Sequence, residues 1–159
     1  MTIYLVRHAT AGTRQGFRGA DLARPLDDFG KSQAAAISAA LKDERIERVL
    51  SSRATRCIDT VAPLAHALGL EVEITDDLTE GAAIDAVTAL LLQLGSTSAA
   101  LCSHGDVIPA TIRQLMLDGM RITGSRQCEK GAIWRLDLRG NDIVTGSYLG
   151  LPRSLTANS

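Results

Sequence analysis

Residues 2–12 read TIYLVRHATAG. The run over 2–6 is short, apolar and rich in β-formers, which suits a strand covered on both faces. It stops at Arg7 and His8, and small residues follow from Ala9 to Gly12. A buried strand that surfaces onto an arginine and a histidine is either a plain polar strand end or the lip of a site. The choice depends on whether the chain is an open α/β sheet, where ligands gather beyond the carboxyl ends of the strands.

Working outward, strand and helix patterns alternate. A polar, Gly-containing stretch, ATAGTRQGFRGADLARPLDD (9–28), carries Arg14, Arg18 and Arg24 and is too long for a simple turn, a length that favours function. In DDFGKSQAAAISAALKD (27–43) the apolar positions Ala34, Ile37, Ala40 and Leu41 recur at helical spacing, with Asp27 or Asp28 as N-cap. IERVLSS (46–52) reads as a second strand. RATRCIDTVAPLAHALG (53–69) reads as a helix closed by Gly69, with Pro63 expected to remove one hydrogen bond and kink it. LEVEIT (70–75) is a third strand, AAIDAVTALLLQLG (82–95) a helix, and SAALCS (98–103) a fourth strand. DVIPATIRQLMLDG (106–119) is a helix that tolerates Pro109 in its first turn, and GAIWRLDL and DIVTGSYL pair as a hairpin across RGN. The expected fold is therefore α/β: a three-layer α/β/α sandwich with a mainly parallel central sheet and an antiparallel C-terminal strand. Residues 1–150 read as a single domain and 151–159 as a frayed tail.

Composition narrows the function. The 159 residues suffice for one conventional core. Net charge is −1 and aromatics make up 3%, which leaves neither a basic field nor a stacking platform for a nucleic-acid polymer. Three widely spaced cysteines, Cys57, Cys102 and Cys128, argue for reduced thiols and core filling rather than a disulfide framework or zinc motif. Met1 leads directly into a strand and no stretch reads as a membrane span, so a cytoplasmic location without a membrane partner is expected.

In this reading three strand ends carry polar clusters. The first ends in Arg7 and His8. The second ends in Ser51, Ser52 and Arg53, with Arg56 in the first helical turn beyond. The fourth ends in SHGD, Ser103 to Asp106, and holds His104. Two of the three histidines thus fall at strand tips; His66, on a helix between alanines, is assigned no role. Fixed cationic donors suit the oxygens of a phosphoryl group, and a neutral imidazole is a competent nucleophile at phosphorus. Arg7, Arg56 and His104 would hold the group that His8 attacks, and Glu80 in LTEG is the candidate acid for the leaving group. Arg14, Arg18 and Arg24 could clamp the rest of an anionic substrate. No cofactor is called for, and no cysteine or carboxylate stands at ligand spacing from either histidine to make a metal site.

LVRHATAG, RPLDDFGKSQA, VLSSRATRCIDTVAPLAHALG, LTEG and CSHGDVI, in this order, resemble the histidine phosphatase (phosphoglycerate mutase-like) superfamily. The short chain, the RPL segment and the closing hairpin look most like the compact SixA-type phosphohistidine phosphatases. They are also similar to the C-terminal phosphatase-like domain of some Nudix (MutT-type) hydrolases. The resemblance implies that His8 is phosphorylated during turnover, that Arg7 and Arg56 bind the phosphoryl group, that Thr60 matches the family threonine, that His104 is the second histidine and that Glu80 is the acid. It departs from the family's RHG at Ala9, which is tolerable only at ordinary backbone angles. Arg53 stands in place of a proline and adds a cation near the mouth, and Asp59 stands where glutamine is common. The expectation is a metal-independent phosphatase with a phosphohistidine intermediate. Its partner would be a phosphorylated small molecule, such as a phosphate ester or nucleoside diphosphate, or a phosphohistidine protein. The rival from another class is a catalytically silent phosphate-binding or regulatory module. A mutase is disfavoured, since the long insertions that enclose a sugar phosphate are absent.

Overall fold

The computed structural model describes residues 1–153, so the tail read over 151–159 lies mostly outside the described residues. Seven strands, β1 (Thr2–Arg7), β2 (Arg48–Ser51), β3 (Val72–Ile74), β4 (Ala99–Ser103), β5 (Arg121–Thr123), β6 (Ile133–Arg139) and β7 (Asp142–Gly150), form one sheet in the order β3-β2-β4-β1-β6-β7-β5. Four helices connect them: α1 (Asp28–Leu41), α2 (Thr55–Leu68), α3 (Ile84–Leu94) and α4 (Val107–Leu117). β2, β4 and β1 are parallel neighbours, and β3 joins β2 in the same sense. Only β6 runs against its neighbours; β7 returns to the common direction and carries the parallel edge strand β5. The mainly parallel α/β sandwich is as read from the sequence, with the reversed strand second to last. Edge strand β5 has no counterpart in the sequence reading: three residues are too few for a period-2 pattern.

Side-chain alternation divides the core into two layers. In β1, Ile3 and Leu5 face one side with Leu50, Leu101 and Leu136, against Val87, Leu91, Ile108 and Ile112 of α3 and α4. Tyr4 and Val6 face the other with Val49, Ala100 and Cys102, against Ile37 and Leu41 of α1 and Val61 and Leu64 of α2. Each such fully buried Leu, Ile or Val contributes about 1.5–3 kcal/mol of burial free energy. This two-sided demand is why the strands are continuously apolar rather than alternating.

Helix ends follow their caps. Asp27, not Asp28, caps α1, its carboxylate accepting from Gly30 N. Gly69 closes α2 at φ 69°, the left-handed conformation that costs glycine least. Pro63 faces solvent and α2 continues through it to Leu68 without ending. Pro109 is the third residue of α4, where its missing N–H is one that helices leave unpaired anyway.

Candidate active site

The sheet register builds the site. Arg7 pairs with Ser103, and Ser51 with Cys102, so His8, Ser52 and His104 leave three adjacent strands side by side. Backbone bonds continue one residue further, from His8 N to Ser103 O at 3.0 Å and from Ser52 N to Cys102 O at 3.1 Å. The two imidazoles stand edge to face, with ring centroids 5.4 Å apart and planes at 65°. Together with Arg7, Arg56, Glu80, Arg14 and Arg24 they line a cleft of about 230 Å³. A larger depression of about 710 Å³ lies at the opposite end of the sheet, around the β6–β7 turn, and no histidine or cysteine lines it.

His8 is 7% exposed, and its Nδ1 lies 2.8 Å from its neighbour's carbonyl, Ala9 O. A carbonyl can only accept, so Nδ1 carries the proton and Nε2 keeps a free lone pair. Burial pushes the His8 pKa down to about 4; the Ala9 hydrogen bond opposes this and the Arg56 and Arg7 charges reinforce it, so the ring is neutral at physiological pH. The chain turns sharply after His8 because Thr60 Oγ1 accepts from Ala9 N at 2.9 Å while donating to Arg56 O at 2.6 Å. Among the described residues no side-chain-bearing residue has positive φ, so the methyl group of Ala9 brings no backbone strain.

Arg7 folds back under the cleft and donates through Nη1 to Cys128 O. Gly105 makes room for it: a Cβ there would fall 2.5 Å from Arg7 Cζ. Arg56, 2% exposed, donates to Asp21 O at 3.0 Å and to Glu80 Oε2 at 3.2 Å. The Nε atoms of Arg7 and Arg56 are buried and have no acceptor. Orphaned buried donors cost about 1–3 kcal/mol each. Both guanidiniums also line the cleft that holds His8, a pairing suited to an oxyanion.

The acidic residues divide by engagement. Glu80 sits at the mouth, half exposed, bridging Arg14 at 3.3 Å and Arg56 at 3.2 Å. Asp106 is tied down at both oxygens, Oδ1 accepting from Val107 N and Oδ2 from Gly81 N. Asp21, which the sequence reading passed over, is the hub of the long loop. Its Oδ1 accepts from Arg14 at 3.2 Å and Arg24 at 3.0 Å, and its Oδ2 lies 3.4 Å from Arg56. Burial raises the Asp21 pKa, but the Arg24 hydrogen bond and the Arg56, Arg14 and Arg24 charges outweigh it and leave the carboxyl below its usual range. An acid between the two arginines of RGADLAR (18–24) was the available clue.

The three loop arginines separate. Arg24 is 8% exposed and spends its guanidinium inside the loop, on Ala11 O, Gly12 O and Asp21. Arg14 reaches the cleft wall. Arg18 is exposed and lies outside the lining. Arg53, expected to add a cation at the mouth, is instead paired with Asp76 at 2.8 Å and is also outside it. The structure adds Lys130, from the segment before β6, to the lining. It also moves one cysteine out of the role of mere filler: Cys57 Sγ lies 3.5 Å from His104 Nε2. Among the described residues no group of three or more His, Cys, Asp or Glu side chains is placed to hold a metal ion, and no helix is long and apolar enough to cross a membrane.

Comparison with known proteins agrees with this architecture. The solved structure of the protein histidine phosphatase SixA complexed with tungstate superposes with a TM-score of 0.74, at 23% identity over 96% of this chain and 97% of that one. A mycobacterial glucosyl-3-phosphoglycerate phosphatase solved with VO3 gives 0.72, at 16% identity over 96% and 99%. In sequence, the chain is 34% identical over 160 residues to an 8-oxo-(d)GTP phosphatase of Mycolicibacterium smegmatis (strain ATCC 700084 / mc(2)155). The match covers 95% of this chain but only 48% of that protein, so the chain spans about half the length of this relative. Residues 3–86, which hold Arg7, His8, Arg56 and Glu80, match the histidine phosphatase superfamily (branch 1). With β1, α2 and the intervening loop accounted for by that match and the whole sheet by the superpositions, the chain belongs to the histidine phosphatase superfamily.

Proposed function

We propose that the chain hydrolyses small phosphorylated substrates through a phosphohistidine at His8, without a metal ion. The observation that carries this reading is a cleft that gathers a neutral His8 with a free Nε2, two buried arginines and a second histidine. His8 Nε2 attacks phosphorus and forms an N–P bond as the ester O–P bond breaks. Arg7, Arg56 and His104 hold the equatorial oxygens. Glu80 protonates the leaving oxygen, then takes a proton from the water that cleaves the N–P bond, releasing phosphate and restoring His8. Glu80 suits this role better than Asp106 because both Asp106 oxygens are already engaged in the backbone of α4 and its approach. Arg14 and Lys130 at the wall favour a substrate with more than one negative charge, such as a nucleoside diphosphate. The 34% identity to an 8-oxo-(d)GTP phosphatase supports a nucleotide over a phosphohistidine protein.

The test is phosphate release, with EDTA present, from para-nitrophenyl phosphate, nucleoside mono- and diphosphates, sugar phosphates and a phosphohistidine protein. Quenching with labelled substrate is expected to leave an acid-labile, base-stable phosphate on His8, and His8→Ala to abolish both the label and turnover. Turnover that survives in His8→Ala, or phosphate binding without turnover on any substrate, defeats the reading; the latter outcome points to a silent phosphate-binding module. Glu80→Gln should slow alkyl phosphates far more than para-nitrophenyl phosphate, whose nitrophenolate departs without a proton. Equal losses on both would remove Glu80 as the acid.

A further inference from the structure

We propose that Ser52 is a positioning residue that holds His104 with its proton on Nδ1, so that a neutral N–H points at the phosphoryl group attacked by His8. What that N–H meets rests on the phosphatase reading; the tautomer itself rests on the hydrogen bonds alone.

Ser52 is the first residue beyond β2 and is 0% exposed. Its Oγ lies 2.9 Å from His104 Nε2 and accepts from Ala54 N at 3.3 Å. The hydroxyl has one proton to give. Among the described residues His104 Nε2 is its one acceptor, since Ala54 N can only donate. If Nε2 carried the proton instead, Ser52 would accept twice and its own O–H would be orphaned in a dry site, a cost of about 1–3 kcal/mol. Nε2 is therefore the acceptor, and the neutral ring carries its proton on Nδ1. Cys57 Sγ, also 0% exposed, lies 3.5 Å from the same Nε2 and 3.8 Å from Ser103 O, so its one proton has another acceptor and the assignment rests on Ser52.

The other edge of the ring has the opposite character. His104 Nδ1 lies 3.5 Å from Arg56 Nη2, and a guanidinium can only donate, so this contact by itself favours a lone pair on Nδ1. At 3.5 Å it is much the weaker of the two, and the 2.9 Å contact with Ser52 decides the tautomer. Two N–H groups then face each other, one on the ring and one cationic, too far apart for a good bond between them. An anion's oxygen placed between them would accept from both. His8 takes the same tautomer and presents the other end: its Nδ1–H is spent on Ala9 O and its Nε2 lone pair is free. Identical tautomers on adjacent strand ends thus supply a nucleophile and a donor. A buried hydroxyl beneath His104, and a carbonyl beside His8, make the difference.

The experiment measures nitrogen protonation directly. In ¹⁵N-labelled full chain above the histidine titration range, long-range ¹H–¹⁵N correlations should give His104 a pyrrole-type Nδ1 and a pyridine-type Nε2. Ser52→Ala should shift the ring toward the Nε2–H form that unconstrained imidazoles favour. It should lower kcat about tenfold to a hundredfold, less than full removal of an oxyanion donor, with KM changed by no more than about twofold. Ser52→Thr, which keeps the hydroxyl, should restore both the tautomer and kcat. A wild-type His104 protonated on Nε2 overturns the proposal, and needs no variant to fold. So does a Ser52→Ala protein with an unchanged tautomer. Absence of turnover on every phosphorylated substrate defeats the phosphatase reading instead, while an Nδ1–H ring that Ser52→Ala converts still supports the assignment.

Discussion

At the scale of single residues, His8, the proposed nucleophile, also bears on stability. Its folded pKa of about 4 lies below the ordinary 6.5, so folding is opposed by its protonation. The stability associated with a neutral His8 is fully present above pH 6.5 and is lost as pH falls from there toward about 4. Chemical denaturation across that range should show wild-type stability dropping with acidity. In His8→Asn the dependence should be shallower; an unchanged slope would place the sensitivity elsewhere. Gly105 is the second instructive residue. Its backbone angles are ordinary, and what forbids a side chain is Arg7, whose Cζ a Cβ would approach to 2.5 Å. Gly105→Ala must therefore displace the guanidinium, and its kcat/KM should fall about as far as that of Arg7→Ala, on the order of 10²–10³ if Arg7 acts as a single oxyanion donor. Near-normal activity in Gly105→Ala would mean that Arg7 is not needed where it lies.

At the scale of elements, the start of α1 and the loop after His8 are one construction. Asp27 caps Gly30 N at 2.7 Å and also receives Thr10 Oγ1 at 2.6 Å and Gly12 N at 3.1 Å. Gly30 lets the two approach, since a Cβ there would lie 2.0 Å from Thr10 O. The Thr10 and Gly30 hydrogen bonds hold the Asp27 carboxyl below its usual range, so its contribution is present above about pH 4 and lost on further acidification. Asp27→Ala is expected to cost about 1–2 kcal/mol, the upper range for a cap because loop bonds go with it. Equilibrium urea unfolding measures this. The activity loss should be smaller than for any residue lining the cleft, since the Thr60 bond to Ala9 N still orients the His8 turn.

At the scale of the whole molecule, the site depends on three strands ending at one level. Leu101, at 0% exposure in the middle of β4, joins β1 and β2 and is packed by the α3–α4 layer. Leu101→Ala should cost about 2–5 kcal/mol. A domain of this size loses roughly 2–4 °C of Tm per kcal/mol, so a scanning calorimeter would register it clearly. At temperatures where the variant is still folded its kcat should stay close to wild type, because strand register is held by the backbone ladder. A large kcat defect in the folded variant would mean that core packing tunes the site directly.

The sequence by itself determined the element order apart from edge strand β5, the parallel sandwich and the strand ends that carry His8 and His104. Those features are local: apolar runs, helical periodicity, and small polar residues at each strand tip. It also brought out Arg7, Arg56 and Glu80, all of which line the cleft. The tertiary structure alone decided what depends on residues far apart in the chain. It separated Arg18, outside the cleft, from Arg14 and Arg24, which line it, and committed the Arg24 guanidinium to its own loop. It turned Arg53 to Asp76 and made Asp21 the partner of three arginines. It also placed Ser52 and Cys57 beneath His104, across sequence separations of 52 and 47 residues. The reason is physical: periodicity reports which face of an element is buried, whereas a proton's position on an imidazole is set by whichever donors and acceptors the fold brings within 3 Å of it.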